Sequence, residues 1–208
     1  MKSKRPTVFE QPKIMLIGKN GQVGWELMHT LSPLGQVVAL DRNQINLVDP
    51  VQIRNCVRQI NPGIIVNAAA YTDVEKAEDD VETAKKVNSY AVEILAEEAK
   101  RIGAILIHYS TDYVFDGTKN RPYNEDDTPN PLNSYGRTKL AGENAILASG
   151  ASHLILRTSW VYGLRRKNFM LTILRLAQER KQIDVVVDQI GCPTWSRSIA
   201  ELTSLMLV

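Results

Sequence analysis

The chain has little of what would mark it as secreted, membrane-bound or metal-dependent. Its 208 residues include two cysteines, Cys56 and Cys192. They lie far apart and belong to neither a CxxC nor a mixed Cys/His pattern, which excludes a disulfide framework and a zinc cluster. Both are expected as reduced thiols buried in the fold, as free cysteines usually are. His29, His108 and His153 each stand alone in the sequence, and none is assigned to metal or catalysis. No apolar run approaches a membrane span, and the opening MKSKRPTVFEQP lacks the apolar stretch of a signal peptide. The reading is therefore cytoplasmic, with residues 1–12 as an N-terminal extension expected to be flexible. A net charge of only +2, with basic residues scattered, offers nothing to attract nucleic acid. What remains is 44% apolar and 23% charged, the composition of a soluble globular protein long enough for one full domain and part of another.

What recurs along the chain is a short aliphatic run followed by a longer amphipathic stretch. The short runs are IMLIG (14–18), QVVAL (36–40), GIIVNAA (63–69), AILIHYS (104–110), HLILRTS (153–159) and IDVVV (183–187). Apolar on both faces, they fit central parallel strands covered on each side. Helices are expected near 22–31, 50–59, 80–101, 134–148, 168–180 and 196–207. This alternation predicts an α/β fold with a doubly wound parallel sheet and right-handed crossovers. In such a sheet ligands bind beyond the carboxyl ends of the strands, so the residues following each run carry the functional expectation.

After the first run comes G-K-N-G-Q-V-G, with Gly18, Gly21 and Gly24 where the strand turns into a helix. Glycine permits the tight turn and the close approach of a ligand, and the helix N-terminus offers N–H groups to a pyrophosphate. Asp41 ends the second run, seventeen residues beyond Gly24, where a carboxylate can accept from the adenosine ribose. Arg42 follows and could hold a 2′-phosphate, leaving NADPH and NADH both open. The third run ends in N-A-A-A-Y-T (67–72), small residues that leave room for a flat ligand against the backbone.

The fourth run ends in H-Y-S-T-D-Y-V-F-D-G (108–117), bringing Ser110, Thr111 and Asp112 to the same edge. Tyr135 and Lys139 follow in NSYGRTK, one helical turn apart, with Asn133 or Ser134 as N-cap. Seven Tyr and twelve Lys give roughly 0.4 such pairs by chance, so the pair has meaning only in this setting. Reduction of a ketone by a nicotinamide needs a proton donor at the carbonyl oxygen and a hydrogen bond that orients it. Tyr135, Lys139 and Thr111 can supply these, and a nearby ammonium is expected to lower the phenol pKa.

The ordered motifs GKNGQVG, NAAAYT, YSTDYVFDG, YGRTKLAGE and RTSWVYG run from Lys13 onward across nearly the whole chain. On them the sequence resembles the extended short-chain dehydrogenase/reductase family, and within it the dTDP-4-dehydrorhamnose reductase branch. The resemblance implies a Rossmann fold and reduction of the 4-keto group of dTDP-4-dehydro-L-rhamnose by NADPH or NADH, in the pathway to cell-surface carbohydrate. It implies Tyr135 as proton donor, Lys139 as its partner and ribose ligand, and Thr111 as the orienting hydroxyl. Asp112, Tyr113, Val74 and Trp160 would meet the sugar. Gly18, Gly21, Gln22, Val23, Gly24, Asp41 and Arg42, then Asn46 and Leu47 beside adenine, and Ala70, Tyr71 and Thr72 toward the nicotinamide, would meet the cofactor. Where the family often has an acid beside adenine this chain has Asn46. Family members also continue past residue 208, so 13–208 is expected to hold the dinucleotide domain and the start of the substrate part, with the smaller C-terminal substrate domain largely missing and turnover reduced. The resemblance leaves a homodimer open and assigns no metal. Two alternatives remain: an epimerase or dehydratase of the same superfamily, which usually adds acid/base groups beside STD, and a non-catalytic regulatory subunit of the methionine adenosyltransferase type.

Overall fold

The computed structural model describes residues 11–208; the expected extension over 1–12 lies, up to residue 10, outside them. Five parallel strands form the central sheet: β1 (Lys13–Ile17), β2 (Gln36–Leu40), β3 (Ile64–Asn67), β4 (Ile105–Thr111) and β5 (His153–Thr158), in the order β2-β1-β3-β4-β5. The chain runs outward one way from β1 to β2 and the other way from β3 to β5. The point of reversal between β1 and β3 is where a doubly wound sheet opens its crevice.

Alternation along β1 shows why the sheet is covered twice. Ile14 and Leu16 join Leu27, Leu31, Val66, Ile107 and Ala200 in a core built with α1 (Gln22–Thr30) and α8 (Ser196–Leu205). Met15 and Ile17 point the other way, to Ile53, Val57, Leu95, Ala99, Leu106 and Ile146, beneath α2 (Pro50–Ile60), α5 (Ala91–Ile102) and α6 (Ser134–Ser149). A strand buried on both faces must be apolar at every position, which KIMLI nearly is.

The helix expected over 80–101 forms, with one π-helical turn inside it. After α3 (Lys76–Asp79) come α4 (Val81–Lys85), one π-helical turn at Lys86–Tyr90, and α5. The bulge turns Asn88 inward, where its amide donates to Tyr71 O (3.0 Å) and Thr138 Oγ1 (3.2 Å) and its carbonyl accepts from Tyr71 N (2.8 Å). Local bulges of this kind commonly mark functional ground. The run IDVVV does not form the sixth strand. Val186 and Val187 are 66% and 94% exposed, and their backbone pairs with no strand among the described residues. Instead β6 (Val161–Tyr162) pairs with β7 (Thr194–Trp195) on either side of α7 (Phe169–Glu179). Cys56 is half-buried and burial pushes its thiol up, but Cys192 is exposed, against expectation. No helix among the described residues is long and apolar enough to cross a membrane.

Candidate active site

The carboxyl end of β4 and the start of α6 are locked together by capping and by one glycine. Thr111 caps the short turn Asp112–Val114, accepting from Tyr113 N (3.2 Å), and donates to Asp112 Oδ1 (3.2 Å). Asn133 caps α6 by accepting from Gly136 N (2.7 Å), and Glu78 accepts from both Ser134 N (2.6 Å) and Ser134 Oγ (2.8 Å). A Cβ on Gly136 would stand 2.2 Å from Tyr113 O, so only glycine lets the helix start this close to the β4 turn. That closeness sets the Tyr135 ring edge-on to Tyr113, centroids 5.6 Å apart. Tyr71 and Val74 pack against it with Ala77 and Ala84.

Tyr135 is thus 9% exposed, and burial pushes its phenol up to about 12, the neighbouring Thr111 hydroxyl partly offsetting the effect. This corrects the expectation of a lowered phenol. The amino end of Lys139 turns toward β4, 2.6 Å from Tyr109 O and 3.1 Å from His108 Nε2. Burial pulls Lys139 down to about 8, against the opposing charge of Glu143 one turn on. Glu143 is itself held by Arg157 of β5 through two bonds of 3.0 and 2.7 Å. Burial also raises Asp112 above the usual carboxylate range.

Around β1 a second group gathers. Gly18, at φ +92°, packs against Ala68, where a Cβ would fall 2.9 Å from backbone, and a Cβ on Gly24 would lie 2.1 Å from Gly18 O. Gly21 is the N-cap of α1, with no side-chain cap and no acid in the first turn, whereas α2, α6 and α7 are capped by Asp49, Asn133 and Asn168. Asp41 accepts from Asn20 Nδ2 (3.2 Å) and Asn43 N (3.0 Å), and Lys19 Nζ stands 3.4 Å away. These partners hold the carboxyl below its usual range, the Asn43 backbone bond contributing most. Gln22 reaches across to Val161 O (3.2 Å) and accepts from Asn168 Nδ2 (2.9 Å), while Arg166 Nε donates to Asn20 O (2.8 Å). The segment 161–168 therefore straps the glycine turn.

Of the remaining expected residues, Arg42 and Thr72 are exposed and Ala70 and Val23 half-buried. Leu47 packs against the main core, and Asn46 uses its side-chain oxygen to accept from Val48 N (3.2 Å). Trp160, at φ +44°, is exposed just beyond β5 with its ring against Gly191. Asn88 and Asn168 carry no motif in the sequence, Gly136 is a spacer within YGRTKLAGE, and His108 stands there alone. Their partners lie between 3 and 146 residues away, and no local pattern announces most of these contacts.

The RmlD substrate binding domain family matches residues 12–207. A dTDP-4-dehydrorhamnose reductase of Burkholderia thailandensis is 52% identical over 192 residues, covering 92% of this chain and 64% of its own length. One from Escherichia coli K12 is 49% identical over 195 residues, with 92% and 65% covered. The crystal structure of a dTDP-4-dehydrorhamnose reductase from Bacillus anthracis in complex with NADP superimposes with a TM-score of 0.91 at 35% identity, covering 95% of this chain and 70% of that one. The chain thus spans slightly under two thirds of the length of these curated relatives.

Proposed function

The chain belongs to the RmlD substrate binding domain family, and from that premise we propose that it binds NADPH or NADH over β1 and β3 and reduces the 4-keto group of dTDP-4-dehydro-L-rhamnose to give dTDP-L-rhamnose. The observation that carries this reading is the buried Tyr135 at Thr111, with Lys139 one turn on, at the carboxyl edge of β4. The names of the relatives, and the NADP held by the Bacillus anthracis protein, support the substrate and the cofactor.

The residues present fit a dinucleotide. The uncapped, acid-free first turn of α1 leaves N–H groups of Gln22 and Val23 for a pyrophosphate. Asp41 presents a carboxylate at the end of β2. Ser110 Oγ is a buried hydroxyl at the same edge without a partner among the described residues. Gly21 and Gln22 would hold the phosphates, Asp41 and Arg42 the adenosine end, and Ala70, Tyr71 and Thr72 the nicotinamide side.

When bound, a reduced nicotinamide would supply the hydride for the carbonyl carbon. Tyr135 supplies the proton for the oxygen, and its raised pKa keeps it in the protonated, donating form at neutrality. Thr111 holds the same oxygen in line, and Lys139 in its ammonium form would hold the cofactor ribose. Asp112, Tyr113, Val74 and Trp160 meet the sugar.

The test follows reduced-nicotinamide absorbance on adding dTDP-4-dehydro-L-rhamnose to the NADPH complex of the wild type and Tyr135→Phe. Oxidation that requires the sugar and falls by ~10² or more in the variant is expected. Equal rates in the two proteins would refute the assignment.

A further inference from the structure

The buried side chain that the reduction leaves unused is His108, fully enclosed between Asn67 and Lys139. Its hydrogen bonds can be assigned in order. Asn67 Oδ1 accepts from Ala69 N–H (3.2 Å), so the Asn67 group facing His108 Nδ1 at 3.2 Å is the amide NH2. An amide nitrogen only donates, so Nδ1 accepts and carries no proton. The neutral imidazole then bears its proton on Nε2, which points at Lys139 Nζ, 3.1 Å away. An ammonium has no lone pair, and a protonated Lys139 there would set donor against donor. The contact is satisfied only when Lys139 is an amine that accepts from Nε2–H and itself donates to Tyr109 O.

We propose that His108, oriented by Asn67, is a positioning residue that hydrogen-bonds the uncharged form of Lys139, so that dinucleotide binding, which draws on the ammonium, is coupled to uptake of one proton. The inference rests on the dinucleotide reading above. The proton comes from solvent and stays on Nζ; no other bond changes. Burial acts in the same direction, lowering Lys139 and holding His108 well below its ordinary value. The other groups facing Lys139 do not reverse it. On its own helix Tyr135 is protonated and Glu143 is tied to Arg157 of β5; on β4, Tyr109 gives its hydroxyl to Thr203 of α8, and Asp112 is itself raised by burial.

Two measurements on the whole chain test this. The first is 15N NMR of histidine-labelled protein without cofactor, the His108 signals identified by their loss in His108→Gln. The Nε2–H tautomer is expected at about pH 9, where Lys139 is an amine; an Nδ1–H tautomer or an imidazolium at that pH would overturn the proposal. The second is calorimetric NADPH titration in buffers of different ionisation heat. With Lys139 near 8 when free and about 10.4 when relieved, uptake approaches ~0.9 proton at about pH 9 and nearly vanishes at about pH 6.5. In Asn67→Asp the carboxylate accepts from Nδ1–H, the tautomer switches, Nε2 accepts from the ammonium, and uptake at the higher pH falls at least threefold. A switched tautomer with unchanged uptake would overturn the coupling. Wild type that shows the Nε2–H tautomer but binds no NADPH would sink the dinucleotide reading, and the coupling with it.

Discussion

Glu98 offers a quantitative test of how the scaffold under the site is held. Its side chain, 2% exposed, accepts five hydrogen bonds at 2.7–3.2 Å from Arg54 and Arg58 of α2 and Arg101 of its own helix. These guanidinium bonds, Arg58 first, hold its carboxyl down at about 2 from an ordinary 4.5. At about 1.4 kcal/mol per unit the shift has a ceiling of roughly 3.4 kcal/mol. The three arginines are a third to half exposed, and solvent screening reduces this to ~2 kcal/mol. Because the folded value is depressed, the stabilisation is complete above the unfolded value near 4.5 and is lost as pH falls toward 2. Glu98→Gln should therefore unfold ~2 kcal/mol more easily in urea at about pH 7, and the gap to wild type should close between about pH 5 and 2. A gap that stays constant with pH would show that shape, not charge, is what Glu98 contributes, and would refute the reasoning.

Three further outcomes follow from the site. Gly24→Ala forces a Cβ into Gly18 O, and should cost on the order of 2 kcal/mol in thermal unfolding together with a large loss of NADPH affinity by fluorescence titration. Lys19→Ala leaves the Asp41 carboxylate without its nearest cation, and should weaken NADPH relative to NADH about tenfold, read from the ratio of the two Kd values. Glu143→Gln breaks the buried pair with Arg157, and should cost ~3 kcal/mol in urea unfolding, part of it recovered in the double variant with Arg157→Met.

Much of this architecture is legible from the chain because it depends on local pattern. KIMLI and QVVAL read as strands since a doubly covered sheet demands apolar residues on both faces, and the neighbouring helices begin at recognisable caps such as Asp49 and Asn133. IDVVV carries the same local signal, yet strand formation is a matter of pairing, and no strand lies beside it among the described residues. The helix over 80–101 forms as expected, but its π-helical turn, where Asn88 finds partners at Tyr71 and Thr138, 17 and 50 residues away, is something periodicity cannot anticipate. Tyr135, Lys139 and Thr111 declare themselves by spacing and motif order. The enclosure that raises the phenol and turns the lysine toward His108 arises only when β4 and α6 pack.

The strap over the glycine turn also bears on how the protein is made. The glycine turn and first helix finish their contacts with residues far downstream: Gln22 with Val161 and Asn168, Asn20 with Arg166, and Thr30 with Ala200 across 170 positions. A nascent chain can pair β1 with β2 soon after both leave the ribosome, but the cradle beside them stays open until more than a hundred further residues have been translated. The proposed dinucleotide cradle is therefore completed late in synthesis, and a chain released early would carry the glycine motif without the strap over it.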